Sequence, residues 1–308
     1  MRSTATPTVR ASLAAAGLLA AGLLAAAPAL AQRGAAGGEW RSYAGEAGGT
    51  KYSPLDQIDA GNVQDLRVAW RWRSVDHELA DADPDLQFNP MLLATPLMVG
   101  GRLLMSTNLG QAAAIDPASG ETTWVYRALD DGAGRPRGGP TRGVGYWHDP
   151  ERNDERVFVV SGEQLVALDA RTGDPLREFG TGGKVDLAAG VPHLEEYRWT
   201  AAPLICRDTV IVGIFTTDRF DRRDQAPGYI RGYDAVTGRL KWRFNTIPQP
   251  GELGHETWED GSWEHTGASN VWTVASADEE LGYAYLPTPP PPPPPTSGPG
   301  APRAGGWC

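Results

Sequence analysis

The chain has 308 residues, 38 acidic against 28 basic, for a formal charge of −10. That carboxylate excess excludes a phosphate-backbone binder, whose affinity comes from clustered Lys and Arg, so no nucleic-acid partner is expected. The two cysteines, Cys206 and Cys308, stand in neither a CxxC nor a CxxCH, which excludes a zinc ribbon and a covalently attached haem.

Residues 1–31 read as a secretory signal. Arg2 and Arg10 lead, Ala11 to Ala27 is an apolar Ala/Leu run, and Ala29-Leu30-Ala31 forms a small-x-small cleavage site before Gln32. At 17 residues the run is shorter than the roughly 20 needed to span a bilayer, so no transmembrane anchor is expected and the product is periplasmic or secreted. A folded region is predicted over 32–288 and a proline-rich tail over 289–308.

Within the folded region helical periodicity is nearly absent, and 38 Gly with 26 Pro are too many for a helix bundle. "TPLMVGGRLLMST" (Thr95 to Thr107), "ERVFVVSGEQLVALD" (Glu155 to Asp169) and "APLICRDTVIVGIF" (Ala202 to Phe215) are short apolar runs broken by turns, the pattern of hairpins. Each hairpin precedes or contains a copy of one phrase: "AIDPASGETTW" (Ala114 to Trp124), "ALDARTGDPLREF" (Ala167 to Phe179) and "RGYDAVTGRLKW" (Arg231 to Trp242). Each unit is therefore predicted as three strands separated by two turns.

In that phrase Asp116, Asp169 and Asp234 are turn-makers that accept backbone N–H groups two and three residues on, while Gly120, Gly173 and Gly238 turn the chain back. Trp124 and Trp242 are expected to pack between neighbouring units; the middle unit has Arg177 in that place. Small antiparallel sheets recurring at this spacing are the signature of an all-β fold of the β-propeller type.

The phrase resembles the tryptophan-docking motif of the quinoprotein dehydrogenases, eight-bladed propellers that use pyrroloquinoline quinone (PQQ). Trp40 to Trp72 is similar to that family's amino-terminal segment and Asn270 to Thr288 to its fourth blade. The resemblance implies a partial propeller of roughly four blades. The absence of an adjacent cysteine pair in "RPRGGPT", ahead of Arg142, points to the glucose-dehydrogenase-like branch.

By the same resemblance Arg142, in "TRGVGYW", pairs with a PQQ carboxylate, and Trp272 forms the floor beneath the quinone. Asp218, in "FTTDRFD", falls near a region where glucose-type enzymes place a ligand to the metal, Ca²⁺, with Arg219 standing where the family has a neighbouring Asn. His255, Glu256 and His265 do not form HExxH and read as loop residues. The implied reaction is hydride transfer from a sugar or alcohol to the quinone, with electrons leaving to a separate acceptor and an Asp from the second half of the propeller taking the proton. That Asp has no counterpart in this chain.

Leu93 stands where the family offers Glu or Gln, and Leu109 where the glucose branch has a cofactor-contacting His. These departures keep open a non-catalytic propeller scaffold that binds other proteins in the cell envelope. After Thr288 come seven prolines, Pro289 to Pro295, which cannot donate to a sheet. A sheet-forming sequence stops there mid-blade, so a truncated or frame-shifted gene is expected, with open sheet faces prone to aggregate.

Overall fold

The computed structural model describes residues 35–83, 86, 91–128, 141–191, 194–217 and 225–291. The expected signal segment, Asp218 and the tail beyond 291 lie outside the described residues.

Trp40 exchanges two backbone hydrogen bonds with Met98 (2.8 and 3.0 Å). An extended segment carrying Trp70 and Trp72 leads to a short helix, α1 (Asp76–Ala82). Three four-stranded antiparallel sheets follow. The first contains β1 (Leu97–Val99), β2 (Arg102–Ser106), β3 (Ala112–Ile115) and β4 (Thr122–Tyr126). The second contains β5 (Gly145–Asp149), β6 (Asp154–Ser161), β7 (Gln164–Asp169) and β8 (Lys184–Asp186).

After β9 (Tyr197–Arg198) the third sheet begins with β10 (Leu204–Cys206) and β11 (Thr209–Val212). The chain then leaves through β12 (Phe215–Thr216), which pairs with β9, and returns as β13 (Tyr229–Asp234) and β14 (Leu240–Asn245). A hairpin of β15 (Ser276–Asp278) and β16 (Tyr283–Tyr285) opens a further sheet.

The units are thus one strand longer than the apolar hairpins predict. β4 is hard to see in sequence because its leading threonines face solvent and only Trp124 and Tyr126 are buried, and β8 because three residues, Lys-Val-Asp, are too few to show a period. β5 follows directly on the Arg-Gly phrase.

Three buried clusters fill the seams between successive sheets. Leu97, Leu104, Val157 and Leu168 fill the first seam, Phe158, Phe179, Tyr197 and Tyr229 the second, and Leu204, Ile211 and Val271 the third. The outer surfaces are less covered: Leu240 and Phe244 on β14 and Tyr283 and Tyr285 on β16 are exposed.

The repeated phrase closes these seams. Asp116 Oδ1 accepts the N–H groups of Ala118 and Ser119 at 2.8 Å, and Asp169 and Asp234 do the same in their turns. The indole of Trp124 lies on the following turn and donates to Ala170 O at 3.2 Å. Gly173 has φ +78°, and a Cβ there would sit 2.5 Å from the Trp124 ring. Only glycine admits that approach. Trp70 repeats the arrangement one turn earlier, donating to Pro117 O at 3.0 Å over Gly120. In both seams the acceptor is the carbonyl just after the turn aspartate.

The seam toward the third turn uses other residues. Gly180 N donates to Thr237 O at 2.9 Å, and the buried Arg156 donates to Val236 O at 2.9 Å and to Ala235 O, the carbonyl after Asp234, at 3.4 Å. Arg156 is held by Asp154 and Glu178 (2.6 and 3.1 Å). A guanidinium thus takes the donor role where Arg177 had left the tryptophan missing. Trp242 is half-buried, lies across Gly232 on the neighbouring strand β13, and packs with the third seam.

Candidate functional site

The segments entering the first strands of successive sheets converge. Arg142 O accepts from Thr95 N at 3.2 Å, and Arg142 N donates to Thr200 O at 3.0 Å. Thr200 Oγ1 donates to Trp272 O at 3.0 Å. Four segments, each a few residues ahead of β1, β5, β10 or β15, are therefore linked at one end of the stacked sheets. The Arg-Gly phrase has a local cause: Gly143 sits at φ +135°, and a Cβ there would lie 3.1 Å from Thr95 O.

The structure brings together the two residues that the resemblance singles out. The Arg142 guanidinium lies 4.9 Å from the centre of the Trp272 ring, within cation–π range. Its Nη1 donates to Trp272 O at 3.2 Å and to Thr200 O at 3.5 Å. The Nε–Nη2 edge makes no hydrogen bond among the described residues, and Trp272 is 40% exposed. An always-charged fork beside an open aromatic plane fits a planar ligand that carries carboxylates.

Asp218 lies outside the described residues, and among those described no group of three or more His, Cys, Asp or Glu could hold a metal ion. His255 Nδ1 lies 3.2 Å from Pro248 O and its ring meets Trp263 edge-on at 5.2 Å, the packing of a loop histidine.

Three supporting residues gave no local signal in the sequence. Thr200 joins Arg142 to Trp272 from a third segment. Asn270, 2% exposed, donates to Thr216 Oγ1 at 2.7 Å and Ala268 O at 2.9 Å, which fixes the approach to Trp272. Asp76, 1% exposed, accepts from Thr107 Oγ1 (2.6 Å), Gln111 Nε2 (2.8 Å) and Leu109 N (3.1 Å), and so orders the β2–β3 turn. Leu109 itself is buried and packs inward, while Leu93 is half-buried. A water-sized cavity of about 30 Å³ lies between this turn and Thr200, lined by Asn108, Thr141 and Glu163 among others.

Among the described residues no helix is long and apolar enough to cross a membrane. Residues 40–299 match the family model described as PQQ, glucose/ethanol/alcohol dehydrogenase, β-propeller domain. Quinoprotein glucose dehydrogenase A of Acinetobacter calcoaceticus is 31% identical over 281 residues, covering 84% of this chain and 34% of that protein. Quinohemoprotein alcohol dehydrogenase ADH IIB of Pseudomonas putida is 32% identical over 270 residues, covering 82% and 34%. The crystal structure of quinohemoprotein alcohol dehydrogenase from Comamonas testosteroni aligns with a TM-score of 0.61 at 27% identity, covering 81% of this chain and 35% of that one.

The chain thus spans about a third of the length of the curated relatives it matches. Glucose and alcohol enzymes resemble it to the same degree, so the branch rests on the missing cysteine pair alone. The repeated docking turns, the paired Arg142 and Trp272 and these matches agree: the chain belongs to the PQQ glucose/ethanol/alcohol dehydrogenase β-propeller family.

Proposed function

We propose that this chain is the amino-terminal part of an exported PQQ-dependent dehydrogenase that oxidises a sugar or an alcohol. The observation that carries the reading is the Arg142 guanidinium 4.9 Å from the exposed Trp272 ring, two residues 130 positions apart that fold into one platform. When bound, PQQ supplies a quinone that accepts hydride from a carbinol or anomeric carbon. Trp272 stacks against the planar ring, and Arg142 offers its free Nε–Nη2 edge to a carboxylate. Thr200 holds both in register, its carbonyl accepting from Arg142 N and its hydroxyl donating to the Trp272 carbonyl. Ca²⁺ belongs to the same proposal, with Asp218 as its candidate ligand by the resemblance alone. Export rests on the leader over residues 1–31, which places the product in the periplasm or outside the cell. Transfer of the electrons to a separate acceptor is part of the same proposal.

Titration of the full chain with PQQ, with and without Ca²⁺, tests the reading through tryptophan fluorescence. Saturable quenching is expected in the wild type, weaker in Arg142→Lys and lost in Arg142→Ala and Trp272→Phe. Quenching that survives both of the last two changes would place the ligand elsewhere. A flat wild-type titration would favour the scaffold reading, which the inward-packed Leu109 supports.

A further inference from the structure

We propose that a second cleft, beside the β2–β3 turn, binds a small organic acid with an apolar body. It is an open groove of about 410 Å³ between the extended segment ahead of α1, the start of α1 and the turn, with Arg71, Trp72, Ser74, His77, Leu92 and Asn108 among its lining residues. That volume lies within the range of small-molecule sites.

Its walls are held before any ligand arrives. The Trp72 indole donates to Thr122 Oγ1 at 2.9 Å, which fixes the ring plane. The Asp76 carboxylate ties α1 to the turn through Thr107, Gln111 and Leu109. Preorganised walls lower the entropy lost on binding.

The charge balance selects the ligand's sign. Arg73 is paired with Asp81 (3.1 Å) and Arg127 with Glu78 (2.8 Å), while Asp76 is buried beneath three donors. Arg71, exposed at the rim, makes no ion pair or hydrogen bond among the described residues. Among the described residues, the charge facing the cleft without a counter-charge is therefore a guanidinium, adjacent to an aromatic wall and Leu92. A carboxylate on Arg71 with its hydrocarbon body on Trp72 satisfies both.

Asn108 lines both this cleft and the small cavity that runs to Thr200, so the acid binds next to the Arg142–Trp272 platform without using it. The inference does not depend on PQQ binding.

Equilibrium dialysis of the full chain against labelled benzoate, with benzyl alcohol as the uncharged competitor, tests it. Saturable benzoate binding is expected, weakened about ten-fold by Arg71→Gln, less by Arg71→Lys, and unchanged by Arg142→Ala. Benzyl alcohol is expected to bind weakly and with no dependence on position 71. Arg71 is exposed, so its substitution leaves folding intact and a loss of binding reports the site. Non-saturable uptake, equal affinity in Arg71→Gln, or loss in Arg142→Ala with retention in Arg71→Gln would each overturn the proposal.

Discussion

Gly173→Ala is the sharpest probe of how the sheets are joined. Gly173 has φ +78°, and its added Cβ would stand 2.5 Å from Cε3 and 2.7 Å from Cδ2 of Trp124. Two costs follow. An L-residue in that conformation costs about 1–2 kcal/mol, and pushing the indole off its seat adds an overpacking cost of about 1–3 kcal/mol. The sum, about 2–5 kcal/mol, is a large part of the stability of an ordinary domain. Gly182→Ala separates the terms, because Gly182 has φ +64° with nothing within 4 Å of the added Cβ, and so bears only the first. Urea unfolding followed by far-ultraviolet circular dichroism measures both. Gly173→Ala is expected to lower the midpoint more than Gly182→Ala, and adding Trp124→Leu to Gly173→Ala is expected to recover part of the loss. Equal midpoints for the two glycine variants would show that the docked indole does not hold the seam.

Arg156→Leu leaves the Ala235 and Val236 carbonyls unpaired and Asp154 without its counter-charge; a loss of about 1–3 kcal/mol is expected in the same assay, and a neutral result would refute the role given to this arginine. Asp76→Ala strips three donors of their buried acceptor, so amide exchange over residues 107–111 is expected to rise sharply while that of β6 and β7 stays low. Burial pushes the phenols of Tyr146 and Tyr229 up to about 12, above an unfolded value near 10. Between those values the unfolded chain releases protons that the folded chain keeps, so stability is intact below pH ~10 and falls as pH rises toward ~12. Denaturant midpoints that stay level across that window would contradict the burial of these rings.

The propeller was legible because its turns are local. Asp116, Asp169 and Asp234 bond groups two and three residues away, so the whole turn is written in one phrase. Arg142 and Trp272 could be named from short motifs, though their contact spans 130 residues and no pattern in the chain states it. What stayed hidden was made by long-range partners. Arg156 meets Val236 across 80 residues, Thr200 meets Trp272 across 72, and Asp76 meets Gln111 across 35. Each is an ordinary residue in its own neighbourhood, and only the stacking of sheets gives it a role. Trp70 carried a signal that could have been read, since it stands ahead of the Asp116 turn as Trp124 stands ahead of the Asp169 turn.

The docked indoles also set a timetable for synthesis. Trp70 and Trp124 find their acceptors 47 and 46 residues further along the chain, so each is made before the surface that will cover it. At ribosomal speeds of about 5–20 residues per second, each waits roughly 2–9 seconds for that surface to be made. Until that surface exists, a large aromatic ring lies uncovered on the unfinished chain.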